Sequence, residues 1–158
     1  MSLYQRDFIL RLIEAVGATL RRALKRREEN DLAGARQEIA LTIGEVLGPG
    51  AAMVPMVDAT TAANLVSDPQ RLALYCQLLE ADAELLSAMG QTDRAAAVAR
   101  RATELLLELV LRRVELPDDT IARIQTLVQR TDVASLGPRY RDAAAAAMRL
   151  TSAPTRTN

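Results

Sequence analysis

Residues 79–107 read LEADAELLSAMGQTDRAAAVARRATELLL, and this stretch decides the fold. Apolar residues recur at helical intervals in both halves, and Gly90 stands between them, where a helix commonly ends. Alanines such as Ala83, Ala95 and Ala102 are small enough to let two helices approach closely. The stretch therefore predicts an antiparallel helical hairpin with a tight turn at Gly90.

A weaker copy of this pattern lies sixty residues earlier (83 − 23 = 60), between Thr19 and Ile43. The corresponding positions there are Ala23, Asn30, Leu32, Ala35 and Ile39. Both stretches resemble the tetratricopeptide repeat, although the usual aromatic positions of that motif hold Leu, Thr or Ala here, which weakens the prediction of a concave peptide-binding groove. The resemblance implies an all-α fold of about six to seven helices. Its antiparallel helical hairpins would stack as a tetratricopeptide-like right-handed α–α superhelix.

A second resemblance rests on residues 4–14, YQRDFILRLIE. This segment is similar to the opening of a family of uncharacterised bacterial helical proteins, a domain of unknown function with tetratricopeptide-like hairpins. The resemblance implies a bacterial protein of this fold. This resemblance implies no activity for the chain.

Capping residues, glycines and prolines elsewhere in the sequence predict the other helices. Together the helices are expected to form one domain over residues 1–150. A helix over residues 4–27 has the apolar stripe Phe8, Ile9, Leu12, Ile13, Val16, Leu20, Ala23 and Leu24. Further helices are expected over 32–47, from Asp58 to near Val66, over 69–89, from a Thr92 cap to about 114, from Pro117 onward, and from Pro138 to about 150. Residues 48–57 are expected to be irregular. Residues 151–158 are expected to form a disordered tail.

Composition lowers the expectation of several functions. The chain has 158 residues, with 20 Lys and Arg against 20 Asp and Glu, and it has no His and one Cys. This charge balance argues against nucleic-acid binding, and the missing histidines remove the commonest metal ligand. The longest apolar run, 105–111, is interrupted by Glu108 and is too short to span a bilayer. We expect no membrane span, no cofactor, no signal peptide and a cytoplasmic location.

Two carboxylate pairs are the only candidates for acid–base or metal chemistry. Glu80 and Glu84 share one helix face, as do Glu104 and Glu108. Because solvated helix faces commonly carry such pairs, we expect no enzyme and no metal site. Cys76 is expected to be a buried apolar residue.

The sharpest charge feature is a basic cluster near the end of the first helix, which we treat as a possible contact for an anionic partner. The cluster comprises Arg21, Arg22, Lys25, Arg26 and Arg27. The competing interpretation is that these cations complement the helix dipole. Arg100, Arg101, Arg112 and Arg113 are expected to be ordinary solvated surface.

These observations favour a non-catalytic helical scaffold or protein–protein interaction module. We expect a protein partner or self-association, with a homodimer formed through the first or the last helix. The alternative is a helical domain that binds a small apolar ligand in a cavity near Met53, Met56 and Met89.

Overall fold

A computed structural model describes residues 2–151, which form seven α-helices and contain no strand. The helices are α1 (Leu3–Glu28), α2 (Leu32–Leu47), α3 (Ala59–Val66), α4 (Pro69–Ala88), α5 (Thr92–Leu111), α6 (Asp118–Arg130) and α7 (Pro138–Ala147). The predicted all-α class is confirmed. Of the predicted disordered tail, all but Thr151 lies outside the described residues.

The first hairpin joins α1 to α2 through a short turn. Ser2 caps α1, since its hydroxyl accepts from the backbone N–H of Gln5 at 3.2 Å. Asn30 adopts a positive φ of 60°, which reverses the chain, and Asp31 then caps α2 by accepting from the N–H of Gly34. Both helix boundaries agree with the prediction to within one residue.

The segment between α2 and α3 is irregular, as predicted for residues 48–57, but a side chain from a distant helix holds it in place. It contains two short 3-10 turns, at Gly48–Gly50 and Val54–Met56. Arg101 on α5 donates to the carbonyl oxygen of Val54 at 2.9 Å, so the prediction that Arg101 is ordinary solvated surface was wrong. Asp58 caps α3, as predicted.

The second hairpin, α4 and α5, lies at the centre of the molecule. Asp68 caps α4 and Pro69 occupies its first turn, while Gly90 has a φ of 77° in the turn that follows. One detail was wrong: the N-cap of α5 is Gln91, and Thr92 is already helical. Helix α5 ends at Leu111, short of the predicted residue 114, because Arg113 adopts a left-handed φ of 53°.

Small residues are buried where the helices pack on one another. Helix α4 contacts α1, α2 and α5, and α5 in turn contacts α3, α6 and α7. The prediction that four alanines are buried is confirmed, since Ala23, Ala35, Ala95 and Ala102 are all at most 7% exposed. A buried hydrogen bond of 2.6 Å between the hydroxyls of Thr19 and Thr42 also joins α1 to α2.

The buried face of α1 is narrower than its apolar stripe suggested. Phe8, Ile13 and Leu24 are 44%, 44% and 55% exposed. The reason is that α1 packs on two neighbours, α2 and α4, which cover only one side of it. In the part of the chain from Ser2 to Thr151, none of the helices has the length and apolar character needed to cross a bilayer.

Candidate functional site

A long groove runs along α4, with α6 along one side and first α1, then α5, along the other. Three neighbouring depressions of about 310, 450 and 350 Å³ share lining residues and form this groove. It extends from Gln70 to Ser87, which is about 26 Å of helix at 1.5 Å per residue. We call it the α4 groove.

One end of the α4 groove is apolar. Ile13 and Val16 of α1 face Leu74 of α4 there, and Pro117 closes the depression where α6 begins. Ile13 is 44% exposed, so a large part of this surface is open to a ligand. Burial of such apolar surface would favour binding of an apolar group.

The middle of the groove is charged, and its most unusual group is Glu80. Its Oε1 atom is buried and has no hydrogen-bond partner among the described residues. Burial raises the pKa of Glu80 to about 7, while Arg123 acts in the opposite direction. Arg123 and Arg130 line the same depression, and neither makes an ion pair within the described part of the chain. A buried acceptor without a partner is costly, which favours the neutral form of this carboxyl group.

The other end of the groove is lined by small residues. Ser87 of α4 lies there with Ala95, Ala96 and Ala99 of α5, near the turn of the central hairpin. These side chains leave room for a ligand to approach the backbone closely. The α4 groove thus combines an apolar end, a charged middle and an end lined by small residues.

The four glutamates singled out from the sequence do not converge. Glu80 and Glu84 line the α4 groove, whereas Glu108 is buried near α3 and α7. Glu104 is half-buried, and burial raises its pKa. The expectation that Glu108 lies on a solvated face was wrong, since it is only 1% exposed.

Glu108 is the centre of a polar cluster that joins three helices. Its Oε1 accepts from the hydroxyls of Thr60 and Tyr140 at 2.8 and 2.7 Å, and Arg139 donates to both carboxylate oxygens at 3.2 Å. Burial alone would raise the pKa of Glu108, but the hydrogen bonds from Arg139, Tyr140 and Thr60 outweigh it and lower the pKa. Both oxygens of the carboxylate have hydrogen-bond donors within the cluster. Its role is therefore to hold α3, α5 and α7 together. The sequence signal was available: a lone charge within a leucine-rich run predicts a buried carboxylate that needs partners.

The basic cluster consists of three side chains that make ion pairs and two that make none among residues 2–151. Arg22 and Arg26 donate to Glu38 at 3.0 and 3.2 Å, and Arg27 lies 3.4 Å from Glu84. Arg26 also pairs with Asp31 at 2.7 Å. Arg21 and Lys25 are exposed and make no ion pair among residues 2–151. Only these two cations remain available to an anionic partner without breaking an existing ion pair.

The remaining candidates are structural or exposed. Cys76 is fully buried, as predicted, and burial raises the pKa of its thiol. Met53, Met56 and Met89 are 59%, 84% and 37% exposed, and none of them lines the α4 groove. Residues 2–151 contain no group of three or more acidic or Cys side chains placed to hold a metal ion.

Comparison of the chain with models of protein families, with curated proteins and with solved structures found no match. The geometry of the α4 groove is therefore the basis for the function proposed below.

Proposed function

We propose that this protein is a non-catalytic helical interaction module that binds a protein partner in the α4 groove. The observation that carries the proposal is the groove itself, about 26 Å long, with an exposed apolar wall and a buried carboxylate oxygen that lacks a partner. A helix or an extended segment of a partner fits a groove of this length. Its apolar side chains would bury against Ile13 and Leu74.

The order of helix packing supports this proposal. In a stack of tetratricopeptide-like hairpins, the first helix of each hairpin lines the inner surface, and α1, α4 and α6 line two of the three depressions of the α4 groove, with α5 replacing α1 at the third. The buried alanines of the first two hairpins also fit such a stack. We therefore propose a tetratricopeptide-like arrangement in which α3 is an insertion between the first and second hairpins.

The chemistry of the side chains favours binding over catalysis. The chain has no histidine, and Glu108, the most buried carboxylate, is fully occupied by Thr60, Arg139 and Tyr140. Three of the five cations in the basic cluster are in ion pairs, which supports a protein partner over a nucleic acid. A single buried cysteine suits a reducing compartment, so we propose a cytoplasmic protein.

Site-specific photocrosslinking in the native cell tests the proposal. Gln77, which lies in the groove where the apolar end meets the charged middle, is replaced by benzoylphenylalanine. Gln37, on the exposed face of α2, receives the same replacement as the matched control. We expect a discrete protein adduct from position 77 and none from position 37. Equal labelling at both positions, or none at position 77, would contradict a binding role for the groove.

A second candidate function is the binding of a small apolar ligand at the apolar end of the groove. This depression of about 310 Å³ is at the lower end of the range of ligand pockets. If it binds such ligands, Ala73→Phe should fill the depression and abolish the fluorescence enhancement of anilinonaphthalene sulfonate. Ala33→Phe, at an exposed position of α2, should leave the enhancement unchanged. Equal dye fluorescence from both variants would exclude this site.

A further inference from the structure

Helix α1 carries two parallel apolar stripes, and its own chain buries only one of them. The inner stripe packs in the core and consists of Ile9, Leu12, Val16, Thr19 and Ala23. The second stripe follows one residue later at every position and consists of Leu10, Ile13, Gly17, Leu20 and Leu24. We call it the outer seam. Its alternating spacing of three and four residues is the spacing by which one helix packs along another.

The outer seam is open where a partner helix would contact it. Leu10, Ile13 and Leu24 are 57%, 44% and 55% exposed, and Leu20 and Gly17 are half-buried. The seam extends over about 21 Å, from Leu10 to Leu24. Its middle residues also form the α1 wall of the α4 groove.

Gly17, at the middle of the seam, has no explanation within its own chain. It lies inside a continuous helix, its φ is not positive, and a Cβ added there would meet only the end of the Arg21 side chain at 3.4 Å. Glycine is less favourable than alanine inside a helix, so its usual justification is close approach of another backbone. The described part of the chain supplies no such approach at this position.

The charges beside the seam identify the occupant. Two acidic and two basic side chains are exposed along its N-terminal half, and two basic side chains are exposed along its C-terminal half: Asp7, Glu14, Arg6 and Arg11, then Arg21 and Lys25. Two copies of α1 packed in parallel would place like charges together. Two antiparallel copies would place Glu14 beside Arg21 of the other copy, and Asp7 beside Lys25, at both ends of the contact.

The apolar residues of the seam have the same symmetry. They lie seven and four residues before Gly17 and three and seven residues after it. An antiparallel pair centred on Gly17 therefore brings Leu10 opposite Leu24 of the other copy and Ile13 within one residue of Leu20. The two glycines meet at the axis, where the helix backbones are closest.

We propose that the outer seam binds α1 of a second copy of this chain, in antiparallel orientation, with the two-fold axis at Gly17. This inference rests on the proposed function, because it names the partner at the α1 wall of the groove. The contact is closed and self-complementary, as a symmetric dimer requires.

Cysteine crosslinking of the full chain tests the orientation. Chains carrying Leu10→Cys and chains carrying Leu24→Cys, mixed and mildly oxidised, should give a disulfide-linked dimer that contains one of each, because antiparallel packing brings these two positions together. Asp7→Cys is the matched control on the same helix, because antiparallel packing holds its two copies far apart, whereas parallel packing would bring them together. A crosslink from Asp7→Cys, or none between the Leu10→Cys and Leu24→Cys chains, would overturn the proposal.

Sedimentation measurements test the seam without oxidation. A Cβ at position 17 meets only the end of the Arg21 side chain in the monomer, whereas the side chain of Gly17→Leu would obstruct the approach of a second backbone, so we expect this variant to raise the dimer dissociation constant about tenfold or more. Glu14→Arg and Arg21→Glu should each weaken the dimer, and the double variant should restore it. Circular dichroism of each variant checks that α1 still folds.

These outcomes separate the two proposals. A wild-type chain that stays monomeric at concentrations on the order of 1 mM would overturn the dimer. A groove adduct from position 77 in that case would still support the proposed function, with a different protein as partner. If the adduct from position 77 has twice the mass of the chain, the partner is a second copy.

Discussion

The phenolic oxygen of Tyr140 lies 2.7 Å from Oε1 of Glu108, and this hydrogen bond joins α7 to the middle of α5. Thr60 donates to the same oxygen from α3. Because Glu108 is only 1% exposed, these donors replace the water that would otherwise solvate its charge. Burial raises the pKa of Tyr140 to about 12, so its hydroxyl remains a donor throughout the physiological pH range.

Removal of the Glu108 carboxylate should destabilise the fold. Glu108→Ala leaves the hydroxyls of Thr60 and Tyr140 without their acceptor and creates a void, so we expect a loss of roughly 2–4 kcal/mol in the free energy of unfolding. Urea denaturation measures this loss. Glu115→Ala, at an exposed position just after α5, is the control and should change stability by less than about 0.5 kcal/mol. Similar losses from both variants would contradict a structural role for the cluster.

Glu80 should make the protein less stable as the pH rises through neutrality. Its pKa is raised by burial from 4.5 to about 7 in the folded state, so between these values the folded chain binds more protons than the unfolded chain. The free energy of unfolding therefore falls from about pH 5 to pH 7, and the full loss is reached above the folded pKa. Since Glu80 is only half-buried, solvent reduces the size of the effect.

Glu80→Gln should remove this pH dependence, which denaturation curves at pH 5 and pH 8 would measure. At pH 8 we expect the variant to be more stable than the wild type by roughly 1–2 kcal/mol. Glu45→Gln, at an exposed position of α2, is the control and should retain the wild-type slope. If Glu80→Gln keeps that slope as well, the carboxylate ionises as it would in water.

Enlargement of a buried alanine should destabilise the hairpins. Ala35 is 0% exposed, and the added atoms of Ala35→Leu must displace packed neighbours at a cost of about 1–3 kcal/mol. Ala33→Leu, on the exposed face of the same helix, should change stability by less than about 0.5 kcal/mol. Thermal unfolding compares the two variants. Equal midpoints would mean that the small residue is not needed for close packing.

Substitution by alanine should change the stability in opposite directions at two glycines that have equal space around them. A Cβ at Gly90 or at Gly44 would meet no atom within 4 Å, but Gly90 has a φ of 77° and Gly44 lies inside α2. Gly90→Ala should destabilise the protein by about 1 kcal/mol, because alanine disfavours that backbone conformation. Gly44→Ala should stabilise it by about 0.5–1 kcal/mol. Changes of the same sign would show that conformational preference does not control these positions.

Most helix boundaries followed from local sequence because their causes are local. Asp58 and Asp68 cap the helices that follow them, and Gly90 reverses the chain at the central hairpin. Such signals depend on residues within one turn of each other, so they need no knowledge of distant contacts. An error occurred at Thr92, a residue type favoured at N-caps, because α5 begins one residue earlier than expected and Gln91 is its N-cap without a side-chain hydrogen bond.

The candidate site was only partly predictable. Glu80 and Glu84 were identified as a pair on one helix face, but the sequence did not predict that α1 and α6 would form the walls beside them. The methionines proposed to line a cavity are exposed, since the segment that carries Met53 and Met56 packs at the surface. Helical periodicity identifies an apolar face, but it does not say which distant element will cover that face.

By itself, the sequence determined seven helices, most of their ends, and the small residues that let the hairpins pack closely. Only the tertiary structure decided which side of α1 is buried, which partners surround Glu108, and where the α4 groove opens. Caps and turns depend on interactions between residues that are close together in the chain. Burial and grooves depend instead on how helices that are far apart in the sequence pack against each other.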